Sequence, residues 1–386
     1  MTPTPTTKHV CVWSGKRGGF GALVPTMKAI QEHPALELSV VVTDQHLYDR
    51  FGRTISEVEA QFEVAAAIDM EQQGDTNLDR ARAVGVCLTK ASEVLDELRP
   101  DVLLVIGDRG EVFAACIAAH NLGIAIAHVQ GGDVSGSLDE PVRHAITKLA
   151  HVHFPSTKAS ADRILRMGEE PWRVHVVGDT HIDQILLGAR PPERELRARY
   201  QIGEDEPFLL VLQHSDSTTP DRSAEQMAET VAAVRAIGHR ALFIYPCSDQ
   251  GFEGILSEIQ KLEGEAGFSI HTNVPAPDFI GLQSLAECLV GNSSAGLIEA
   301  PYLGLPAINV GDRQIGREHT DNVIHAPYER DAIADAIRKA LRDEGFRKRC
   351  RELTPPFGDG KTHQRITRVL AELPMGPRLL LKKMTH

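Results

Sequence analysis

Three carboxylates, two histidines and one arginine fall within the seventeen residues from His128 to His144. The run reads His128-Val129-Gln130-Gly131-Gly132-Asp133, then Ser135-Gly136-Ser137-Leu138-Asp139-Glu140, then Arg143-His144. That density suits acid/base work on a substrate better than a solvated loop, because proton transfer needs donors and acceptors at hydrogen-bond range. On a helix starting near Asp139, the side chains of Glu140, His144 and Lys148 share one face by i, i+4 spacing. Asp139 also suits a helix cap. Upstream, Gly107-Asp108-Arg109-Gly110-Glu111 follows an apolar run directly. An Asp at that place is ordinarily the N-cap of the next helix; a reactive carboxylate is the competing use.

A second kind of chemistry is anion binding. Ser14-Gly15-Lys16-Arg17-Gly18-Gly19-Phe20-Gly21 reads as a Gly-rich turn between an apolar run and a helix, with two cations in it. Such a turn is either a phosphate loop or a plain strand-to-helix connection. It lacks the GxGxxG spacing of a dinucleotide site. In the second half, Gly291-Asn292-Ser293-Ser294-Ala295-Gly296 opens a predicted helix carrying Glu299. Ser293 and Ser294 there suit a diphosphate, and Glu299 suits ribose hydroxyls. Arg313 and Arg317 follow in a loop, and arginine favours buried anions. His214 ends the run FLLVLQH, where a strand would present it at its carboxyl end.

These residues need a frame. Runs at His9–Gly15, Leu38–Thr43, Val102–Gly107, Ile124–Gly131, His151–Ser156 and Val174–Gly178 read as strands. Helical patterns lie between them, such as Leu78–Leu98, Glu111–Asn121 and the Leu23, Met27, Ile30 spacing. A polar stretch from Leu186 to Glu206 marks a domain boundary, after which the alternation restarts. Its strands are Phe208–His214, Ala241–Pro246, Phe268–Thr272, Cys288–Gly291 and Ala307–Gly311. The expected fold is α/β: two Rossmann-like, doubly wound domains with a cleft between them. Residues 8–188 form the first domain, 189–370 the second, and 371–386 a tail.

Composition sets the limits. The 386 residues are 42% hydrophobic and 24% charged, which excludes general disorder and suits two cores. A net charge of -12 repels phosphate backbones and anionic lipid, so neither nucleic acid nor membrane is an expected partner. The one basic cluster, Arg378 to Lys383, is short and interrupted by leucines. The six cysteines show no CxxC pair and read as reduced core thiols. Residues 1–8 lack the apolar stretch of an export signal, so a cytoplasmic protein is expected. The sequence suggests neither a metal nor a cofactor.

Taken together, GDRGE, HVQGGDVSGSLDEPVRHAITKLAHVHF, LQH, GNSSAGLIEA and NVGDRQIGRE resemble the hydrolysing UDP-N-acetylglucosamine 2-epimerases. That group includes bacterial enzymes of sialic- and legionaminic-acid synthesis and the epimerase domain of the bifunctional animal enzyme. The similarity runs from about His9 to Leu370. It implies the glycosyltransferase-B architecture, a UDP-sugar substrate, no cofactor and a homodimer. The implied reaction is anti elimination of UDP to a 2-acetamidoglucal, then hydration to free N-acetylmannosamine. Asp108 and Asp139 match the family's catalytic carboxylates, and His214 matches a histidine near the diphosphate. Arg17, Ser293, Ser294, Glu299 and Arg313 match positions that hold UDP, with Arg109 and His144 as further substrate contacts. Two departures stand out. The family's Arg-Ala-Asp/Glu-Tyr is here Arg17-Gly18-Gly19-Phe20, and its His-x-Glu-Gly-Gly-Glu is here His128 to Asp133 with Gln130 in the place of the first acid. An amide exchanges no proton at neutral pH. Asp133 or Glu111 then takes over that duty, or the substrate is a related one such as a UDP-2,4-diacetamido sugar, or catalysis is weakened. A non-hydrolysing epimerase, a glycosyltransferase of the same fold and a nucleotide-sugar-binding protein are the competing functions.

Overall fold

A computed structural model describes residues 7–385; most of the stretch in which no export signal is expected lies outside the described residues. Two compact units emerge. The first comprises residues up to Val134, Leu138–Leu187 and Pro356 onward; the second comprises Ser135–Ser137 and Gly188–Pro355.

The first unit holds a parallel sheet of β1 (Lys8–Ser14), β2 (Leu36–Thr43), β3 (Val64–Ile68), β4 (Val102–Ile106), β5 (Ala125–Val129) and β6 (Val152–Phe154). Their spatial order is β3-β2-β1-β4-β5-β6. The second unit's sheet holds β7 (Phe208–Leu212), β8 (Arg240–Ile244), β9 (Phe268–His271), β10 (Cys288–Gly291), β11 (Ala307–Val310) and β12 (Val323–Ala326). Read from the β9 edge, its order is β9-β8-β7-β10-β11-β12, the same winding. Each is the Rossmann order, whose direction reverses between the first and fourth strands. That reversal opens a crevice at their carboxyl ends: beyond β1 and β4 in one sheet, beyond β7 and β10 in the other.

Continuous apolar runs form these strands because both faces are covered. Along β1, Val10 and Val12 enter one core while Cys11 and Trp13 enter the core on the opposite face. Leu209 and Val211 of β7 likewise face away from Phe208, Leu210 and Leu212. Cys11, Cys87, Cys116, Cys288 and Cys350 are free thiols inside these cores. No helix among the described residues is long and apolar enough to cross a membrane.

Three expectations are corrected. The glycines after β1 do not form a turn: the helix Arg17–Glu32 starts there, and Gly18, Gly19 and Gly21 lie in its first turns. Val174–Gly178 is extended beside β6 but joins the sheet through one bridge, His153 to Val174. The end of the chain is neither part of the second unit nor a loose tail. The helix Thr362–Glu372 packs in the first unit with Ile366 and Leu370 in its core. Lys8 Nζ donates to the carbonyls of Leu370, Ala371 and Leu373, and Asp183 accepts the backbone N–H groups of Thr362 and His363. The last residues are fastened too, since the fully buried Arg173 donates to the carbonyls of Arg378, Leu379 and Leu381.

Candidate functional site

At the carboxyl end of β4, Asp108 is not a helix cap. The cap position of the helix Gly110–Asn121 is Arg109, which makes no side-chain capping bond. Asp108 instead pairs its carboxylate with Arg143, and both side chains are largely buried. Arg143 comes from the helix Asp139–Leu149 and also donates to the Asp133 carbonyl at 3.1 Å. Beneath the pair, His128 on β5 donates from Nε2 to the Gly107 carbonyl at 2.7 Å. Burial pushes the His128 pKa down to about 3, so this ring is a neutral strut that fixes the turn bearing Asp108. Strand pairing places Asp108 two residues and Gln130 one residue beyond neighbouring strand ends, since Ile106 pairs with Val129.

Glu111 and Arg109 depart from expectation. Glu111 is fully buried; its Oε1 accepts from Arg109 Nε at 2.8 Å and its Oε2 from Arg80 Nη2 at 2.6 Å. Asp44, also fully buried, accepts from Arg80 at 3.2 Å and Arg109 at 3.0 Å. The four side chains form a closed ion cluster under the β1 loop, where a methyl on Gly15 would lie 2.5 Å from Glu111 Oε1. A group sealed between two guanidinium ions does not shuttle protons, and Arg109 is occupied by carboxylates. Both side chains are engaged in this cluster rather than turned to the end of β4. Asp133 is similarly held, 8% exposed and accepting from Ser160 Oγ at 2.6 Å.

Asp139 opens its helix as the first helical residue; the cap, Leu138, offers no side-chain bond. His144 Nε2 lies 3.5 Å from Glu140 Oε1, as the i, i+4 spacing predicts. Lys148 leaves that row and reaches Glu169 at 2.5 Å. Gln130 turns its amide onto two residues absent from the sequence reading: Nε2 is 2.9 Å from Asp179 Oδ2 and 3.2 Å from His181 Nδ1. Arg17, half-buried, is the first residue of its helix.

In the second unit the organising residue is Asn292, again missed from sequence. It is fully buried just beyond β10. Its Oδ1 accepts the His214 backbone N–H at 2.7 Å and its Nδ2 donates to the His214 carbonyl at 2.9 Å. Its own carbonyl accepts from Arg313 Nη1 at 3.2 Å and Gln314 Nε2 at 2.9 Å. One residue thus ties the β7 crevice residue, through its side chain, to the arginine loop, through its backbone carbonyl. The His214 ring accepts the Cys247 N–H at Nδ1, 3.0 Å away, so a neutral ring carries its proton on Nε2 and is a donor there. Arg313 Nη2 donates to Asp249 Oδ2 at 3.1 Å. Ser293 and Ser294 are half-buried, and Ser293 Oγ accepts the Ala295 N–H at 3.3 Å. The predicted helix is short: Ala295–Ile298 passes through Glu299 into a tighter turn, Ala300–Leu303, with Pro301 inside it. Gln283 donates to Glu299 at 3.1 Å.

The matching family model is described as UDP-N-acetylglucosamine 2-epimerase and aligns with residues 28–371. The chain belongs to that family. One relative, the UDP-N,N'-diacetylbacillosamine 2-epimerase (hydrolyzing) of Legionella pneumophila, is 34% identical over 96% of this chain and 97% of its own length. Another, the UDP-N-acetylglucosamine 2-epimerase of Neisseria meningitidis serogroup B, is 31% identical over 86% and 87%. Among solved structures, a UDP-GlcNAc 2-epimerase from Neisseria meningitidis bound to UDP-GlcNAc superposes with a TM-score of 0.80. It covers 94% of this chain and 100% of the other at 18% identity, which establishes the epimerase fold of two Rossmann-like domains. Within this 2-epimerase, Arg143 and His128, already in the cluster read from sequence, and Asp179, His181 and Asn292, which are not singled out there, each hold a residue that the sequence does single out. A carboxylate, an amide or a histidine at a strand end was the available signal; its long-range partner was not.

Proposed function

We propose that this 2-epimerase is of the hydrolysing kind and converts a UDP-2-acetamido sugar to UDP and the free 2-epimeric sugar. The 34% identity to a hydrolyzing 2-epimerase over nearly the whole chain supports that reading. The observation that carries the chemistry is the Asp108–Arg143 pair. A base must take the weakly acidic C2 proton while the C1–O bond breaks and its electron pair leaves on UDP. Asp108 is the base: the strand end, Arg143 and the His128 strut fix where its carboxylate stands. In the second unit His214 Nε2–H and Arg313 serve the leaving diphosphate, aided by the N–H groups and hydroxyls at Ser293 and Ser294. With a helix of four residues at that place, these donors act as individual hydrogen bonds rather than through a macrodipole. Glu299 accepts from the ribose, Arg17 adds charge for the phosphates, and Asp139 with the Glu140–His144 pair takes part in hydration. The enzyme works in the cytoplasm, in keeping with its buried free thiols, and as a homodimer, which sedimentation checks.

Incubation with UDP-GlcNAc and, in parallel, UDP-N,N'-diacetylbacillosamine in deuterated water tests the reading. Released UDP together with a free sugar carrying deuterium at C2 is expected from one of the two. An epimerised nucleotide sugar without free sugar would make the enzyme non-hydrolysing.

A further inference from the structure

Inverting C2 requires a proton to leave one face of the sugar and another to arrive on the opposite face, so two proton carriers are needed. This requirement holds on the hydrolysing reading. Asp108 is one carrier. The position of the second is held by Gln130, whose amide cannot act as an acid or a base at neutral pH. Glu111 is sealed in its ion cluster.

Gln130 is nonetheless placed with care. Its φ is +63°, a left-handed conformation that is strained for any residue but glycine. The backbone is fastened there by its N–H to the Phe154 carbonyl at 3.1 Å. The side-chain amide then meets Asp179 and His181. Asp179 is fully buried beyond the extended Val174–Gly178 segment. Its Oδ1 accepts the His181 backbone N–H at 2.9 Å, an ordinary helix-start contact, and lies 2.8 Å from His181 Nδ1. Its Oδ2 accepts from Gln130 and, at 3.3 Å, from Ser156 Oγ. Capping accounts for the backbone contact. It does not account for an imidazole ring clamped onto the same carboxylate next to the amide that replaces the family's acid. His181 is 25% exposed while its partner is closed off, the arrangement of a carboxylate-oriented histidine whose far nitrogen exchanges protons.

We propose that the Asp179–His181 pair supplies the acid/base function that Gln130 lacks, with His181 as the second catalytic residue and Asp179 and Gln130 as its positioning residues. With Nδ1–H donated to Asp179 Oδ1, the Gln130 amide donates to Asp179 Oδ2 and only abuts the ring, and Nε2 is the exchanging atom. After UDP has left, the electron pair of the C1=C2 double bond takes the proton from Nε2 of the imidazolium on the face opposite Asp108. C1 takes the oxygen of water, whose surplus proton passes to solvent by way of Asp139 and the Glu140–His144 pair. The neutral ring then regains a proton from solvent, and Asp108 releases the one it removed.

The full-length wild type, His181→Asn, His181→Ala, and the double variant His181→Asn with Gln130→Glu are compared on both UDP-sugars. Asn keeps a donor toward Asp179 but has no ionisable ring. His181→Asn is expected to lower kcat about 100-fold or more with UDP affinity unchanged. Restoring the family's acid through Gln130→Glu, or adding imidazole to His181→Ala, is expected to recover at least about tenfold of that loss, which a purely structural histidine would not allow. Turnover of His181→Asn within about threefold of wild type, or a loss that neither rescue reverses, would overturn the pair's role while leaving the hydrolysing reading intact. Wild type that releases no UDP from either sugar would overturn both. Independently of activity, 15N NMR of the histidine rings is expected to show neutral His181 protonated on Nδ1; an Nε2–H form would sink the proposal.

Discussion

A carboxylate at the end of a buried strand can cap the next helix or serve a ligand, and Asp108 is held by the guanidinium of Arg143 rather than by a helix end. A capping Asp would accept backbone N–H groups; this one is held by a charged side chain on another helix. Its replacement by Asn keeps shape and removes basicity. Asp108→Asn is therefore expected to lower kcat by about 100-fold or more, with UDP affinity within about twofold by calorimetry. Retained turnover would remove Asp108 from the chemistry. Arg313 belongs to the opposite case. Its two terminal nitrogens bind the Asn292 carbonyl and Asp249, which orients the fork without tying it to the reacting carbons. A charged hydrogen bond is commonly worth about 1.5–3 kcal/mol, so Arg313→Ala should weaken UDP binding about tenfold or more, which Asp108→Asn does not. A fall in kcat with unchanged UDP affinity would reverse the two assignments.

At the level of elements, the close approach of β7 and β10 sets the second unit's crevice. Gly291 closes β10 with φ +137° opposite Leu212 of β7. A methyl there would lie 2.1 Å from the Leu212 carbonyl oxygen and 3.0 Å from the Gln213 nitrogen. Both are backbone atoms, so relief requires the strands to part just where Asn292 reaches across to His214. Gly291→Ala is expected to cost about 2 kcal/mol or more. That corresponds to a thermal midpoint lower by roughly 4–8 °C, with weakened UDP binding; an unchanged midpoint would mean the strand ends yield easily. The same scale shows what sequence can and cannot convey. β1, β4, β7 and β10 are legible because their side chains are buried on both faces. β3, reading Val-Ala-Ala-Ala-Ile, and β12, reading Val-Ile-His-Ala, are edge strands with little apolar contrast, and neither is evident beforehand. The apolar stripe Ile366, Leu370 identifies a helix but not its partner, so the return of residues 356–386 to the first unit stays hidden. Asp108, Gln130 and His214 are legible as strand-end polar residues. Arg143, Asp179 and Asn292, which decide what each one does, lie 35, 49 and 78 positions away along the chain.

For the molecule as a whole, buried neutral histidines link stability to pH, chiefly through the first unit. Burial pushes His128 down to about 3, and His46, His151 and His153 to about 4. An unfolded chain protonates the same rings near 6.5. Between those values the unfolded state binds more protons than the native state, so stability falls as pH drops from about 6.5 toward 4 and levels off below. Each ring contributes about 2 kcal/mol of that loss by pH 5. Glu169 extends it. Burial opposes its charge, but hydrogen bonds from His153, Lys148 and Lys382 prevail and hold its pKa at about 2. The stability it lends is complete above about 4.5 and is lost as pH falls toward 2, loosening Lys382 and the chain end. In the second unit His271 and His325 are also lowered by burial, but both are less enclosed. The chain's two tryptophans, Trp13 and Trp172, lie in the first unit, so their emission reports on it alone. Urea unfolding followed by tryptophan emission is expected to show a markedly lower midpoint at pH 5 than at pH 7.5, with most of the change between pH 6.5 and 4.5. An equal midpoint at the two pH values would mean that these rings acquire charged partners in acid instead of resisting protonation.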